Sequence, residues 1–231
     1  MAGCRSSSAV GPATLTQPEP LQPPSLTMLS SKSKHPLSVR DPAPMLEQAR
    51  RDWGGQRDLW VFGYASLIWR PDFEVAEKRL ARVHGWHRAL KMWSRINRGT
   101  PQLPGLVFAL LSGGSCSGVA LRVPRRDANT VLDSLWAREM LTGVYDPRWL
   151  TCHTAAGPVQ ALAFTLSRRS GNFTGELDHQ QYRHILAHAR GRYGSTLDYA
   201  TQTLHSLREH GIEDAALMRI LRHAPEIKNK K

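Results

Sequence analysis

The run Leu59-Trp60-Val61-Phe62-Gly63-Tyr64-Ala65-Ser66-Leu67-Ile68-Trp69-Arg70-Pro71 decides how this chain is read. Its first half is apolar and aromatic, which predicts a buried strand. The small residues Ala65 and Ser66 follow, then a second apolar group halted by Pro71. Small side chains at a turn leave successive backbone N–H groups uncovered, and such a nest holds a carboxylate or an oxyanion. On pattern alone the residues also fit an ordinary strand and tight turn.

Downstream, Arg79–Trp86 and His87–Ser94 read as two strands joined near Gly85, and Leu106–Leu111 as a third. Ser112-Gly113-Gly114-Ser115 reads as a hairpin turn, with Gly118–Val123 returning. It is no phosphate loop, because it lacks Gly-Lys-Ser/Thr and joins two strands. Val131, Leu132, Leu135, Trp136 and Met140 recur at helical spacing and predict a helix over Arg125–Met140. Strands follow over Arg148–His153 and Val159–Leu166. Asp178 with Gln181 forms a capping box, and Ser195 caps a helix presenting Leu197, Ala200, Leu204 and Leu207 on one face. A last helix covers Glu213–His223. Strands first and helices last predict an α+β fold. The short connections between neighbouring strands favour a small antiparallel, partly closed β-barrel with flanking and C-terminal helices.

Upstream, residues 1–45 hold eight of the fifteen Pro and hardly an aromatic. They cannot bury enough apolar surface to offset ordering entropy, so a disordered tail is expected there. Ala43–Arg51 can begin a short helix leading into a domain over 46–225. Residues 226–231 form a basic tail. The net charge is +12. It attracts anions, from nucleic acid to a small dicarboxylate, yet no Lys/Arg block marks a nucleic-acid tail. The three cysteines, Cys4, Cys116 and Cys152, are too scattered for a disulfide framework. They read as free thiols in a reducing compartment. No run suits a membrane span, and the first residues lack a secretory signal's apolar core. The expectation is a soluble, cytoplasmic protein, with no membrane and no nucleic acid as partner.

Glu139 is the candidate acid. It ends a helix, where the macrodipole disfavours a carboxylate, and it adjoins Trp136 and Met140. Both influences raise its pKa toward a useful range for a base at neutral pH. Taken alone, it also fits a solvated helix-end residue. Tyr64 and Tyr145 each offer a hydroxyl to a polar ligand, or pack in a core with a wet edge. His184 and His188 share a helix face but lack a third metal ligand of sensible spacing, so no metal site is expected. Cys152 and His153 point to opposite faces of one strand and form no catalytic pair.

Phe62-Gly63-Tyr64-Ala65-Ser66-Leu67-Ile68-Trp69-Arg70-Pro71 resembles the signature of the ChaC-like glutathione-specific γ-glutamylcyclotransferases. The fragments that follow keep the family's order: Gly85-Trp86-His87-Arg88, Arg98-Gly99-Thr100-Pro101, Pro104-Gly105-Leu106-Val107, Cys116-Ser117-Gly118-Val119-Ala120, Leu135-Trp136-Ala137-Arg138-Glu139-Met140 with Gly143-Val144-Tyr145, and Gly194–Tyr199. The resemblance covers about residues 58–223. It implies a γ-glutamylcyclotransferase-like barrel and a reaction without cofactor. It implies that the loop Phe62, Gly63, Tyr64, Ala65, Ser66 and Leu67 holds the γ-glutamyl group and that Glu139 is the acid/base. This chain departs from the family in two places: Ala65 replaces a usual Gly, and Phe173 stands where relatives commonly have Tyr.

The implied activity converts glutathione into 5-oxoproline and Cys-Gly. The glutamyl amine attacks its own side-chain amide, so the enzyme's first task is to hold the bent conformer. Two other readings stand beside it. One is the same chemistry on other γ-glutamyl amines or dipeptides. The other is a non-catalytic module that binds polyanions on the same fold.

Overall fold

The structure, a computed structural model, describes Met1 and residues 40–224. Residues 2–39 of the tail expected over 1–45, and the tail expected over 226–231, lie outside the described residues. Arg40 donates from Nε to Gly143 O, and from its two terminal nitrogens to Asp146 Oδ1 and Tyr145 O, each at 2.7 Å. Helix α1 (Ala43–Trp53) opens with proline, whose fixed φ suits a first helical turn, and ends on Gly54 in the left-handed region.

Five strands close a barrel in the order β1-β3-β2-β4-β5. Strand β1 (Leu59–Gly63) is apolar and pairs antiparallel with β3 from Leu59↔Val123 to Gly63↔Val119. Strands β2 (Glu77–Ser94) and β3 (Gly105–Val123) are the long members and pair with each other antiparallel along their length. Strands β4 (Asp146–Thr154) and β5 (Gly157–Thr165) form a regular hairpin.

The strand count corrects the expectation drawn from sequence. Gly85 does not separate two strands, and Ser112–Ser115 is not a hairpin turn. Gly85 takes φ 77°, Gly113 φ 97° and Gly114 φ 72°, and the pairing shifts between His84↔Ser115 and Trp86↔Ser112. Three residues of β3 there advance against two of β2, which is a bulge. Both strands bend at the same level and continue. Local sequence offers the same glycines for a turn and for a bend, and only the partner strand decides.

The expected antiparallel pairing also needs one amendment, at the closing seam. β5 pairs parallel to β1 at Val61↔Leu162 and to β3 at Leu110↔Thr165. Short connections forbid parallel neighbours, but the seam joins the first and last strands, which are far apart in the chain.

Helix α3 (Ala128–Glu139) follows a turn of 3₁₀ helix and buries Val131, Leu132, Leu135 and Trp136 against the barrel. The Trp136 ring meets Phe164 edge-on at 5.5 Å. Its Nε1–H donates to Pro42 O at 3.0 Å, tying the residue before α1 to the same helix. The capping box expected at Asp178 is present, and the expected cap at Ser195 is also a capping box, closed by Asp198. Asp178 opens α4 (His179–His188) and Ser195 opens α5 (Thr196–Glu209). The buried side of α5 comprises Thr196, Tyr199, Ala200, Thr203, Ser206 and Leu207, whereas Leu197 and Leu204 are half-buried. Thr196 there spends its hydroxyl on Leu106 N–H at 2.8 Å, which is how a polar residue is buried without loss. A two-residue hairpin, β6 (Arg190–Gly191) with β7 (Gly194–Ser195), precedes α5, and α6 (Ala215–Leu221) closes the described chain.

Gly118 lets β3 approach the turn after β1. A Cβ there would lie 2.4 Å from Gly63 O and 2.8 Å from Phe62 Cζ. Gly118→Ala is therefore expected to lower the unfolding free energy by about 1–3 kcal/mol, as overpacking of a fitted core does. Chemical denaturation measures it, and a loss under about 0.5 kcal/mol, the range of a neutral surface change, contradicts the close approach.

Candidate active site

Strand β1 delivers the chain into the barrel's mouth, where it turns at Tyr64 and Ala65 into the short helix α2 (Ser66–Trp69). The turn closes with Ile68 N–H donating to Ala65 O at 2.9 Å. Ala65 has φ −148° and ψ −121°, outside the left-handed region. The Arg88 guanidinium, 5 % exposed, donates to Tyr64 O at 2.9 Å and to Ser117 O at 3.0 Å. Asp214 holds that guanidinium at 2.8 Å while also capping α6, so the turn is braced from behind by a buried ion pair.

Tyr64, Ala65, Ser66 and Leu67 line a small pocket. Glu139, Tyr145 and Tyr199 complete its polar lining, with Phe108 and Phe164 as apolar walls. The structure thus brings Glu139 and Tyr145 to the turn, as expected. Phe62 and Gly63 do not line the pocket. Phe62 is fully buried in the core, and Gly63 is a strand residue paired with Val119. Phe173 also lies away from it, bridging to Met92.

Glu139 ends α3 with its side chain 17 % exposed. Burial raises its pKa, the Arg138 guanidinium pulls it partway back, and the Asp72 carboxylate adds a smaller upward push. Burial is thus the main cause, ahead of any helix-end effect. Tyr64 donates its hydroxyl to Phe164 O at 2.9 Å. Burial lifts the Tyr64 and Tyr145 phenols well above their ordinary value and the Tyr199 phenol to about 12. All three also feel the Glu139 charge, so they stay neutral donors around one titrating carboxyl.

Sequence reasoning missed three residues. Arg138 places Nε 3.0 Å from Glu139 Oε1 and donates from another nitrogen to Ser66 Oγ at 3.0 Å. Its signal was its place beside Glu139 in a fragment already matched. Tyr199 ended another such fragment. Asp72, 2.8 Å from Arg138, had no local signal. His184 and His188 stack at 4.7 Å, and among the described residues no group of three ligands could hold a metal. Cys152 is buried while His153 beside it is exposed.

The pocket shares Ser66, Glu139, Tyr145 and Tyr199 with a wider cleft. Five arginines line that cleft, Arg70, Arg95, Arg98, Arg138 and Arg192, against two acids, Asp72 and Glu139. The whole is a cationic cleft leading to a small pocket with one proton-accepting group.

The family described as ChaC-like protein matches residues 59–226. A glutathione-specific gamma-glutamylcyclotransferase of Escherichia coli (strain K12) is 34 % identical over 164 residues, covering 71 % of each chain. Glutathione-specific gamma-glutamylcyclotransferase 1 of Homo sapiens is 31 % identical over 175 residues, 74 % of this chain and 78 % of that one. A crystal structure of the glutathione-specific enzyme from yeast superposes with a TM-score of 0.66 at 20 % identity, covering 73 % of this chain and 96 % of that one.

The raised Glu139 pKa fixes a stability trend. The folded state holds this proton more tightly than the unfolded chain does. Ionisation therefore destabilises the fold as pH rises above the free carboxyl value of about 4.3. The Tm advantage of Glu139→Gln over the native protein is expected to grow from pH 4 to pH 8 in thermal scans. A constant or shrinking difference contradicts a raised pKa.

Proposed function

The chain belongs to the ChaC-like family, and on that footing we propose that it converts glutathione to 5-oxoproline and cysteinylglycine, with Glu139 as the acid/base. The observation that carries the reading is the half-buried Glu139 carboxyl lining the same small pocket as the Tyr64–Leu67 turn. The reaction moves one C–N bond and two protons. The glutamyl α-amine is mostly an ammonium at neutral pH and cannot attack until it loses a proton. Glu139 takes that proton. The freed amine then adds to the γ-carbonyl carbon and closes a five-membered ring. The carbonyl oxygen carries negative charge while the tetrahedral centre lasts, and the N–H groups of the turn suit that charge. The C–N bond to cysteine breaks, and Glu139 returns protons from the ring nitrogen to the departing amine. Lactam and free dipeptide result.

Both reacting groups belong to one substrate molecule, so the protein's main contribution is to hold the curled conformer. A pocket too small for the tripeptide but open to a cleft suits this division: the glutamyl unit enters, and the dipeptide stays outside. Arg95 and Arg98 support the anionic tripeptide. They line the cleft, burial disfavours their charge, and they make no ion pair among the described residues. Arg95 donates to Asn172 Oδ1 at 2.9 Å, and Arg98 lies over the Tyr199 ring at 4.9 Å. Two guanidinium groups without a protein carboxylate suit a carboxylate on the substrate. A cytoplasmic setting agrees with Cys116 and Cys152, both buried and unbridged. Among the described residues no helix is long and apolar enough to cross a membrane.

Purified protein is expected to release 5-oxoproline from glutathione, and Glu139→Gln to lower kcat by about 10²–10⁴-fold, the range of a lost acid/base. Undiminished turnover in that variant removes Glu139 from the mechanism. Offered in the same assay, a γ-glutamyl alkylamine without a distal carboxylate should react with a lower kcat/KM than glutathione. Equal values favour a broader γ-glutamyl substrate range.

A further inference from the structure

We propose that Asp72 is a positioning residue for Glu139, acting through the guanidinium of Arg138 that the two carboxylates share. Residues adjacent on a helix point about 100° apart and do not normally face each other. Arg138 and Glu139 nonetheless meet, with Nε 3.0 Å from Oε1. Something outside the helix must turn the arginine back, and every nitrogen of its guanidinium is accounted for. One terminal nitrogen donates to Asp72 Oδ2 at 2.8 Å and to Arg70 O at 2.5 Å. The other donates to Ser66 Oγ at 3.0 Å, leaving Nε for Glu139. The planar fork is thus fixed from the far side by the loop after α2, and its near edge is delivered to Glu139 and to the turn together.

The backbone of Asp72 marks it out. Among the described residues it is the one non-glycine with positive φ, at 60°. That region is sparsely populated by side-chain-bearing residues and persists where surrounding contacts over-determine it. Here both carboxylate oxygens of Asp72 are held. Asp72 Oδ1 accepts from Arg70 Nε at 3.0 Å while Oδ2 accepts from Arg138. A loop that needed only to turn would be satisfied by glycine. The carboxylate is what glycine cannot supply.

The device also sets how much positive charge Glu139 meets. The charged and titratable groups around it are Arg138 from α3, Asp72 from the loop after α2, Tyr64 from the turn after β1, Tyr145 ahead of β4 and Tyr199 from α5. The tyrosines remain neutral. Asp72, which also accepts from Arg70, therefore divides the Arg138 guanidinium charge with Glu139 and offsets part of its downward pull on that carboxyl's pKa.

The inference rests on Glu139 as the acid/base, and the test separates the two. Two variants are compared with the native protein for 5-oxoproline release from glutathione between pH 5 and 9, with Tm alongside. Asp72→Asn keeps an acceptor and the tolerance for positive φ but removes the charge. It should move the acid limb of kcat to lower pH, because Glu139 then faces the whole guanidinium charge. Asp72→Gly relaxes the backbone and removes the anchor. It should keep or raise Tm yet lower kcat roughly tenfold to a hundredfold, the cost of a small misplacement, with KM less affected. Native kcat in Asp72→Gly, or an unmoved acid limb in Asp72→Asn, overturns the proposal. Either result beside an inactive Glu139→Gln leaves the acid/base reading standing, whereas an active Glu139→Gln defeats that reading itself.

Discussion

One guanidinium organises the mouth of this barrel. Arg138 touches the hydroxyl of Ser66 at the start of α2, the carboxylate of Asp72 in the next loop and the carboxylate of Glu139 on its own helix. The three belong to segments the chain could otherwise hold at any separation. Drawn together, they line one side of the cleft, where Ser66 and Glu139 also border the smaller pocket beside the backbone turn. Burial disfavours the charged form of Glu139, the guanidinium partly offsets that, and Asp72 adds a smaller upward push. Proton transfer in both directions suits a carboxyl held between such opposing influences.

The rest of the fold serves to make that side of the cleft rigid. α3 is pinned along its apolar face by Trp136 against Phe164, and from outside by the bond from Trp136 to Pro42 O. Arg40 fixes the segment around Tyr145 with two bonds to backbone carbonyls and one to the Asp146 carboxylate. Arg88, buried and paired with Asp214, holds the carbonyl of Tyr64 from behind. A buried pair of this kind adds little net stability, because desolvation offsets attraction. Its effect lies in geometry: it couples the turn to the start of α6, far along the chain.

Much of this was legible in the sequence wherever the signal was local. The apolar rise to Gly63, the helical stripe ending at Met140 and the helix caps at Asp178 and Ser195 each declare themselves within a few residues, and each element is present. Glu139 was legible for the same reason, as an acid at a helix end beside large apolar groups. What failed to show was whatever depends on a partner distant in sequence. Gly113 and Gly114 carry the composition of a hairpin turn and serve a bulge, because β2 runs on beside them. Thr196 is polar and yet fully buried, because its hydroxyl accepts from the Leu106 N–H of β3. Arg138 and Asp72 look like surface charge, and only the fold brings Ser66 and Glu139 to them.

The central claim is spatial: a curled glutamyl unit fits between the Tyr64–Leu67 turn and the carboxyl of Glu139. A crystal structure of the protein soaked with 5-oxoproline tests it most directly. The account predicts the five-membered ring in the pocket walled by Tyr64, Tyr145 and Tyr199, with its lactam nitrogen within hydrogen-bond reach of Glu139, about 2.6–3.2 Å. A ring bound elsewhere, or bound there with the nitrogen turned away from Glu139, contradicts it.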